Sequence, residues 1–380
     1  MKKYFFTAVC LSLFFFVGMF RPAFAQTTPK EQTAERFEAV VTNVSDAEQK
    51  TLNGKKQLYQ KLELLVTAGS LKGKTITVEN GAMATTNVVE YKKGDSVMVT
   101  AEKTAENKNL YYITDYVRNT SIYWLFGLFV ALTILIGRKR GVLSLLGMGF
   151  SFLIIFAFVL PQIISGTDPV FVAILAAMAI IPVSFILSHG ISKKTIAAMI
   201  GTYIALVITG MLAGFFVDFV RLTGFASDEV NYVQATTANT IDVKGLLLAG
   251  MIIGVLGILD DNTITQAAVV AQLKKAMPEA SFSEIYAKAM DVGRDHIASV
   301  VNTLILVYTG ASLPLLLLFI NNPIPFSQVI NYEMLAEEIV RTLVGSIGLI
   351  LAIPLTTFIA DFLIHDREAL QTNLKHKKQK

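Results

Sequence analysis

Two adjacent carboxylates, Asp260 and Asp261, interrupt an apolar run, and amides and hydroxyls follow at once in the string GILDDNTITQ. Carboxylate, amide and hydroxyl oxygens are the ligands hard cations take, and a carboxyl in a poorly hydrated setting can also exchange a proton. A second polar string, DVGRDHIASVVNT, supplies His296, whose ring titrates near neutrality, with Asn302 and Thr303 one to two turns further on. Asp260, Asp261, Asn262, Thr263, His296, Asn302 and Thr303 are therefore the candidate site for an ion, a proton or a small polar substrate. Asp291, Arg294 and Asp295 share a helical face at three- and four-residue spacing, and with His189 before a basic turn they are secondary candidates. The competing reading makes Asp260 and Asp261 caps of a following helix, because carboxylates favour its amino end, and His296 and Arg294 ordinary interface residues. Both readings stay open here, and the residue set names no particular metal.

Enzyme chemistry has little support. No H-E-x-x-H, G-x-S-x-G, phosphate-binding loop or dinucleotide fingerprint occurs, so neither a catalytic set nor a cofactor is expected. Ser188 and Ser299 have no better claim than other serines. The single cysteine, Cys10, lies in a segment expected to be removed, which leaves no thiol for disulfides or thiolate metal sites.

The elements that would hold the candidate site are membrane helices. Of 380 residues 53% are hydrophobic and only 16% charged, and the mean hydropathy is +0.55, too apolar for a soluble globular chain. A net charge of +4 without basic and aromatic interleaving argues against nucleic acid as a partner. Hydrophobic segments fall at 120–137, 142–163, 169–188, 195–217, 245–261, 297–320 and 339–361, most near the roughly 20 residues that cross a bilayer. If the first starts outside, Arg138–Arg140, Lys193–Lys194, Lys274–Lys275 and the tail Arg367–Lys380 all face the cytoplasm. The opposite loops carry Asp168, Asp228, Glu229, Asp242, Glu333, Glu337 and Glu338 beside only Arg221 and Lys244, as the positive-inside rule requires. Asp218 and Asp361 then read as boundary charges and Trp124 as an interfacial anchor.

The amino end, MKKYFFTAVCLSLFFFVGMFRPAFAQ, has the secretory layout of lysines, an apolar core and A-x-A, so residues 1–25 are expected to be a signal peptide. From 26 to 118 the pattern shortens to alternating runs, RFEAVVTNV, KKQLYQKLELLVT, GKTITVEN, GDSVMVTAEK and NLYYITDYV, separated by Asn53-Gly54, Gly69, Lys72-Gly73, Asn80-Gly81 and Gly94-Asp95. Five short strands predict a small OB-like β-barrel outside the cytoplasm. The expected whole is an α-helical polytopic membrane bundle of about seven transmembrane helices over 119–365, with a cytoplasmic helical insertion at 262–296 and a basic tail at 366–380.

The fifth segment raises its own question. Gly245–Leu259 is about 22 Å long at the helical rise, short for a hydrocarbon core of about 30 Å. Either the bilayer thins or the segment bends, or the helix runs on past the aspartates, which then begin within the hydrocarbon. Gly250, Gly254 and Gly257, and Gly210 with Gly214, read as smooth faces for close helix packing. AIIPVSFILSHG at 179–190 lies over MIIGVLGILDDN at 251–262, and IAAMIGT over IASVVNT, a faint parallel repeat that membrane helices also produce by chance.

The strings GILDDNTITQAA, RDHIASVVNTLILVYTGASLPLLLLF and SKKTIAAMIGT, with LKGKTITVEN, YKKGDSVMVT and YYITDYVR ahead of them, resemble the YibE/F-like family of bacterial membrane proteins from about Arg36 to Asp361. The resemblance implies a multipass protein of the plasma membrane of a Gram-positive cell, and no mechanism. The residues themselves point to a permease or permease component for a small solute or ion. The lipid bilayer, that substrate, and a second copy or another membrane protein are the partners expected. The alternative is a non-transporting scaffold whose β domain binds a partner or an envelope polymer.

Overall fold

The computed structural model describes residues 35–52, 55–83, 88–103, 109–237, 241–320 and 325–378. The expected signal segment, Cys10 and the Asn53-Gly54 turn lie outside them. Contacts divide the chain into two compact units, one running to Leu132 and the other from Thr133 to the carboxyl end.

The first unit holds five antiparallel strands, β1 (Glu35–Leu52), β2 (Lys55–Ala68), β3 (Thr75–Asn80), β4 (Ser96–Lys103) and β5 (Asn109–Tyr116), in the order β3-β2-β1-β4-β5. Each matches one of the alternating runs, and β1 extends beyond its run to 18 residues. Alternation places Phe37, Ala39, Val41, Leu62, Leu64, Val66, Ile76, Val78, Val97 and Val99 on one buried face. Register shifts in β1 at Glu38/Ala39, Val41/Asn43 and Val44/Asp46 bend the long strand. Gly69 takes a φ of +101°, and a Cβ there would stand 2.6 Å from Phe37 Cβ, so the β2–β3 turn needs glycine. The buried Gln60 of β2 ties down the approach to β4. Its Nε2 donates to Tyr91 O at 2.9 Å, and its Oε1 accepts from Tyr91 N at 2.9 Å and Asn80 Nδ2 at 3.2 Å. Tyr116 of β5 holds the same segment, with its hydroxyl donating to Glu90 O at 3.2 Å and its ring 5.1 Å from that of Tyr91.

After the sheet come α1 (Asn119–Ile154), a π-helical turn at Ile155–Val159, α2 (Leu160–Ile164), α3 (Pro169–His189), α4 (Lys193–Phe219), α5 (Asp228–Thr236), α6 (Val243–Ala276), α7 (Phe282–Ala311), α8 (Leu313–Ile320), α9 (Phe326–Val329) and α10 (Glu333–Lys378). Among the described residues five helices are long and apolar enough to cross a membrane: 119–164, 169–189, 193–219, 243–276 and 333–364. The first covers both of the first two expected segments and breaks at Arg138, whose φ of 51° and ψ of −130° are not helical. The sixth expected segment is divided, because α7 ends at Ala311 and α8 begins with Leu313 ahead of Pro314, whose nitrogen cannot donate to the preceding turn.

The caps follow the sequence. Asp168 accepts from Phe171 N at 2.8 Å, Ser192 from Thr195 N at 3.2 Å, Asp242 from Gly245 N at 3.0 Å and Ser281 from Glu284 N at 3.3 Å. Pro182 inside α3 removes the bond to the carbonyl of Met178, and the Tyr203 hydroxyl of α4 donates to that oxygen at 3.1 Å.

α4, α6 and α10 form the centre of the second unit. Where α4 crosses α10, Gly201 lies against Thr356 and Gly348 against Thr209, with Ala205 and Ala352 buried between. Both helices thus present the same string, G-x-x-x-A-x-x-x-T (Gly201, Ala205, Thr209; Gly348, Ala352, Thr356), in opposite directions. Small residues four apart let the backbones approach closely. Of the glycines expected to do this only Gly210 faces a neighbouring helix, where a Cβ would stand 3.9 Å from Ile252; a Cβ at Gly214, Gly250, Gly254 or Gly257 would meet nothing within 4 Å. The larger stripe Leu247, Met251, Val255, Leu256 and Leu259 takes the inward face of α6 and turns its glycines outward.

Candidate functional site

α6 continues through the aspartates to Ala276, so of the readings left open the longer helix is the one the fold adopts. Nothing after Gly257 breaks it, since the polar side chains are satisfied along the helix. Asn262 Nδ2 donates to Ile258 O at 2.5 Å and Thr263 Oγ1 to Asp260 O at 3.3 Å. Leu259, Asn262, Thr263, Gln266, Ala267, Val270 and Lys274 recur at three- and four-residue steps and are all buried. Asp260 and Asp261 therefore stand inside a helix and do not cap the next one, a role Ser281 fills.

The two carboxylates diverge. Asp260 is partly buried and accepts from Ser184 Oγ of α3 at 3.0 Å, whereas Asp261 is exposed on the outward side. His296 meets the amide. Because Asn262 donates its nitrogen to Ile258, its Oδ1 faces the ring, and His296 donates from Nε2 at 2.7 Å. Thr263, fully buried, lies 2.6 Å from Thr202 Oγ1 of α4, which donates to Ala198 O at 2.9 Å. Four of the expected residues thus come together: Asp260, Asn262 and Thr263, from one stretch of α6, touch α3, α7 and α4 in turn, and His296 is the contact on α7. Asn302 and Thr303 do not join them: both are exposed, and Thr303 back-bonds to Ser299 O at 3.0 Å. Asp291 and Arg294 pair with each other at 2.6 Å on the exposed side of α7, where Asp295 also lies. His189 is exposed, its ring 6.3 Å from Phe185.

Sequence reasoning passed over Gln266, although it stands four residues beyond Asn262 on the same helical face. Its Nε2 donates to Ala289 O at 2.9 Å and Thr357 Oγ1 at 2.8 Å, and Thr357 donates to Ile353 O at 2.7 Å. α7 comes close enough because Gly293 has no side chain; a Cβ there would stand 2.7 Å from Ile353 Cγ2. Asp361, expected at a boundary, is fully buried in α10. Lys274, also buried, donates to Pro278 O at 2.7 Å and Ala280 O at 3.1 Å, engaging carbonyls beyond the end of α6.

A second polar group was missed because Glu337 and Glu338 read as loop residues. α10 begins at Glu333, so both lie inside the helix, with Arg341 one turn on. Arg341 pairs with Glu338 at 2.8 Å and lines a void of about 10 Å³ with Leu206, Thr209, Gly210, Met251 and Val255. On the other side of the pair an open groove of about 280 Å³ runs between α7 and α10, lined by Tyr308, Thr309, Ser312, Glu338 and Thr342 among apolar side chains. Ionisable groups within a helix able to cross a membrane are costly there unless they are paired or hydrated, which makes them candidates for a functional site.

Five apolar helices with polar side chains meeting across their inner faces define a multipass membrane protein of the helical-bundle class, preceded by an antiparallel sheet. The YibE/F-like protein profile matches residues 125–366 and the YibE/F family N-terminal domain profile residues 34–116, so the chain belongs to the YibE/F family. Neither a curated protein nor a solved structure matches it.

Proposed function

We propose that the chain is a permease or permease component that moves a small solute or ion across the plasma membrane, and that it is not an enzyme. The carrying observation is Asp260, a carboxylate within a spanning helix that is held by Ser184 beside the Asn262–His296 and Thr263–Thr202 pairs. An isolated carboxylate at that depth needs a partner, a proton or a cation, and a single hydroxyl satisfies only part of that need. In this reading the end bearing Lys193, Lys194, Lys274 and Lys275 faces the cytoplasm, the end bearing Asp168, Asp218 and Glu333 faces outward, and the five-stranded sheet closes as an OB-like barrel outside the cell.

The test is flux in reconstituted vesicles, with protons as the probe and an entrapped pH dye as the readout. Asp260→Asn should abolish a flux that the wild type carries, whereas Asp261→Asn, on the outward face, should leave most of it. Equal flux in Asp260→Asn and wild type, at matched protein content, would remove the reading.

A second reading, a scaffold that holds a membrane partner, draws on the smooth outward face of α6 at Gly250, Gly254 and Gly257. It predicts that Gly254→Leu releases a co-purifying protein while flux is unaltered.

A further inference from the structure

The half of the bundle away from Asp260 carries a carboxylate that the proposed mechanism does not use. Glu337 is 9% exposed, and its Oε1 is buried without a hydrogen-bond partner. One turn on, the Nε of Arg341 is likewise buried and unpartnered, although its NH1 reaches Glu338. Two orphaned polar atoms one turn apart are rare in native structures and call for a ligand.

The charged groups around Glu337 are already engaged elsewhere. On α10, Glu333 accepts from Thr223 N, Thr223 Oγ1 and Gly224 N, and Glu338 holds Arg341. At the ends of α4 and α6, Asp218 and Lys244 pair with each other. Asp242 caps α6, and on α7 only the neutral Tyr308 faces this part of α10, across the groove. The flanking turns of α10 pack through Ala336, Val340 and Val344 on Ala213, Val217, Leu247 and Met251, which offer no oxygen ligands. A metal cation needs a cage of several oxygens, and Arg341 would repel it. A proton needs only one carboxylate oxygen.

We propose that Glu337 is a proton-binding carboxyl in the half of the bundle away from Asp260. This goes beyond the transport reading and does not depend on it. The face of α10 that carries Glu337 continues one turn on to Arg341, which lines the void of about 10 Å³. The Arg341–Glu338 pair separates that void from the outer groove. Protons therefore reach Glu337 from the groove when the pair opens.

The test uses the full-length protein in liposomes and dicyclohexylcarbodiimide, an apolar reagent that modifies protonated carboxyls, with the modified residue mapped by mass spectrometry. Glu337 of the wild type should be labelled at neutral pH, with labelling falling about tenfold for each pH unit above its titration point. Glu337→Gln should lose that label and Glu338→Gln should keep it. Because the main readout is on the wild type, it survives a variant that fails to fold. Absence of label on Glu337 at every pH, with Asp260→Asn still abolishing flux, would overturn this proposal and leave the transport reading. Labelled Glu337 with normal flux in Asp260→Asn would remove the transport reading and leave the proton site.

Discussion

The crossing of α4 and α10 allows a quantitative test of what holds the bundle together. A methyl group added at Gly348 would stand 2.8 Å from Thr209 Cγ2 and 3.1 Å from its Cβ, with Oγ1 closer still. Thr209 cannot rotate clear without breaking its 2.7 Å bond to Ala205 O, and it is only 2% exposed. Overpacking of this kind costs about 1–3 kcal/mol. Gly348→Ala should therefore lower the folded-to-unfolded ratio between about fivefold and somewhat over a hundredfold. Gly201→Ala should fall at the upper end, because there the opposing atoms include Thr356 Cα at 3.3 Å, which is backbone. Thr209→Ala, by removing Oγ1 and Cγ2, should restore more than half of the Gly348→Ala loss, a coupling of about 0.5–3 kcal/mol. The assay is reversible unfolding in a mixed-detergent series, followed by a probe of helix association, for the wild type, both single variants and the double. A Gly348→Ala protein as stable as the wild type, or a double variant whose loss is the sum of the singles, would refute the close-approach argument.

Three further outcomes are expected. Tyr203→Phe should cost about 1 kcal/mol by leaving Met178 O without a donor, and Pro182→Ala should offset much of that by restoring the helix's own bond, which the same unfolding series would show. Gln60→Leu should cost about 1–3 kcal/mol, since it strands both backbone groups of Tyr91, and hydrogen exchange at Tyr91 N should rise with it. The Arg118 guanidinium beside Asp115, together with the Tyr116 N–H, holds the Asp115 carboxyl below its ordinary range. Its contribution is thus present above the usual carboxylate pKa and lost as pH falls through the lowered value. Asp115→Asn should flatten that acid dependence in a thermal-unfolding series, and an unchanged pH profile would count against the pairing.

Much of the organisation was legible from local pattern. The five strands, the turns at Gly69 and Gly81, whose φ is positive, and the Ser281 cap follow from residue type and spacing within a few positions. The candidate site was legible only in part. Asp260, Asn262, Thr263 and His296 were named together, but Ser184, which meets Asp260, and Thr202, which meets Thr263, lie 76 and 61 positions away, and Gln266 finds Thr357 91 positions on, in pairs that no short motif announces. Glu337 and Glu338 were hidden by a different cause, since charges just ahead of an apolar run read as loop when the helix in fact begins before them.

Sequence alone determined that this chain enters a membrane, where its apolar stretches lie and that a β domain precedes them, because hydropathy and alternation are properties of windows of a few to about 20 residues. Tertiary structure decided which glycines touch a neighbour, which of two adjacent aspartates turns inward, and which hydroxyl meets which amide. Rotation of a helix about its axis is set by the whole set of side chains competing for the interior. On α6 the stripe from Leu247 to Leu259 won that competition over Gly250, Gly254 and Gly257, and with it Asp260 came to rest beside Ser184 while Asp261 faced away.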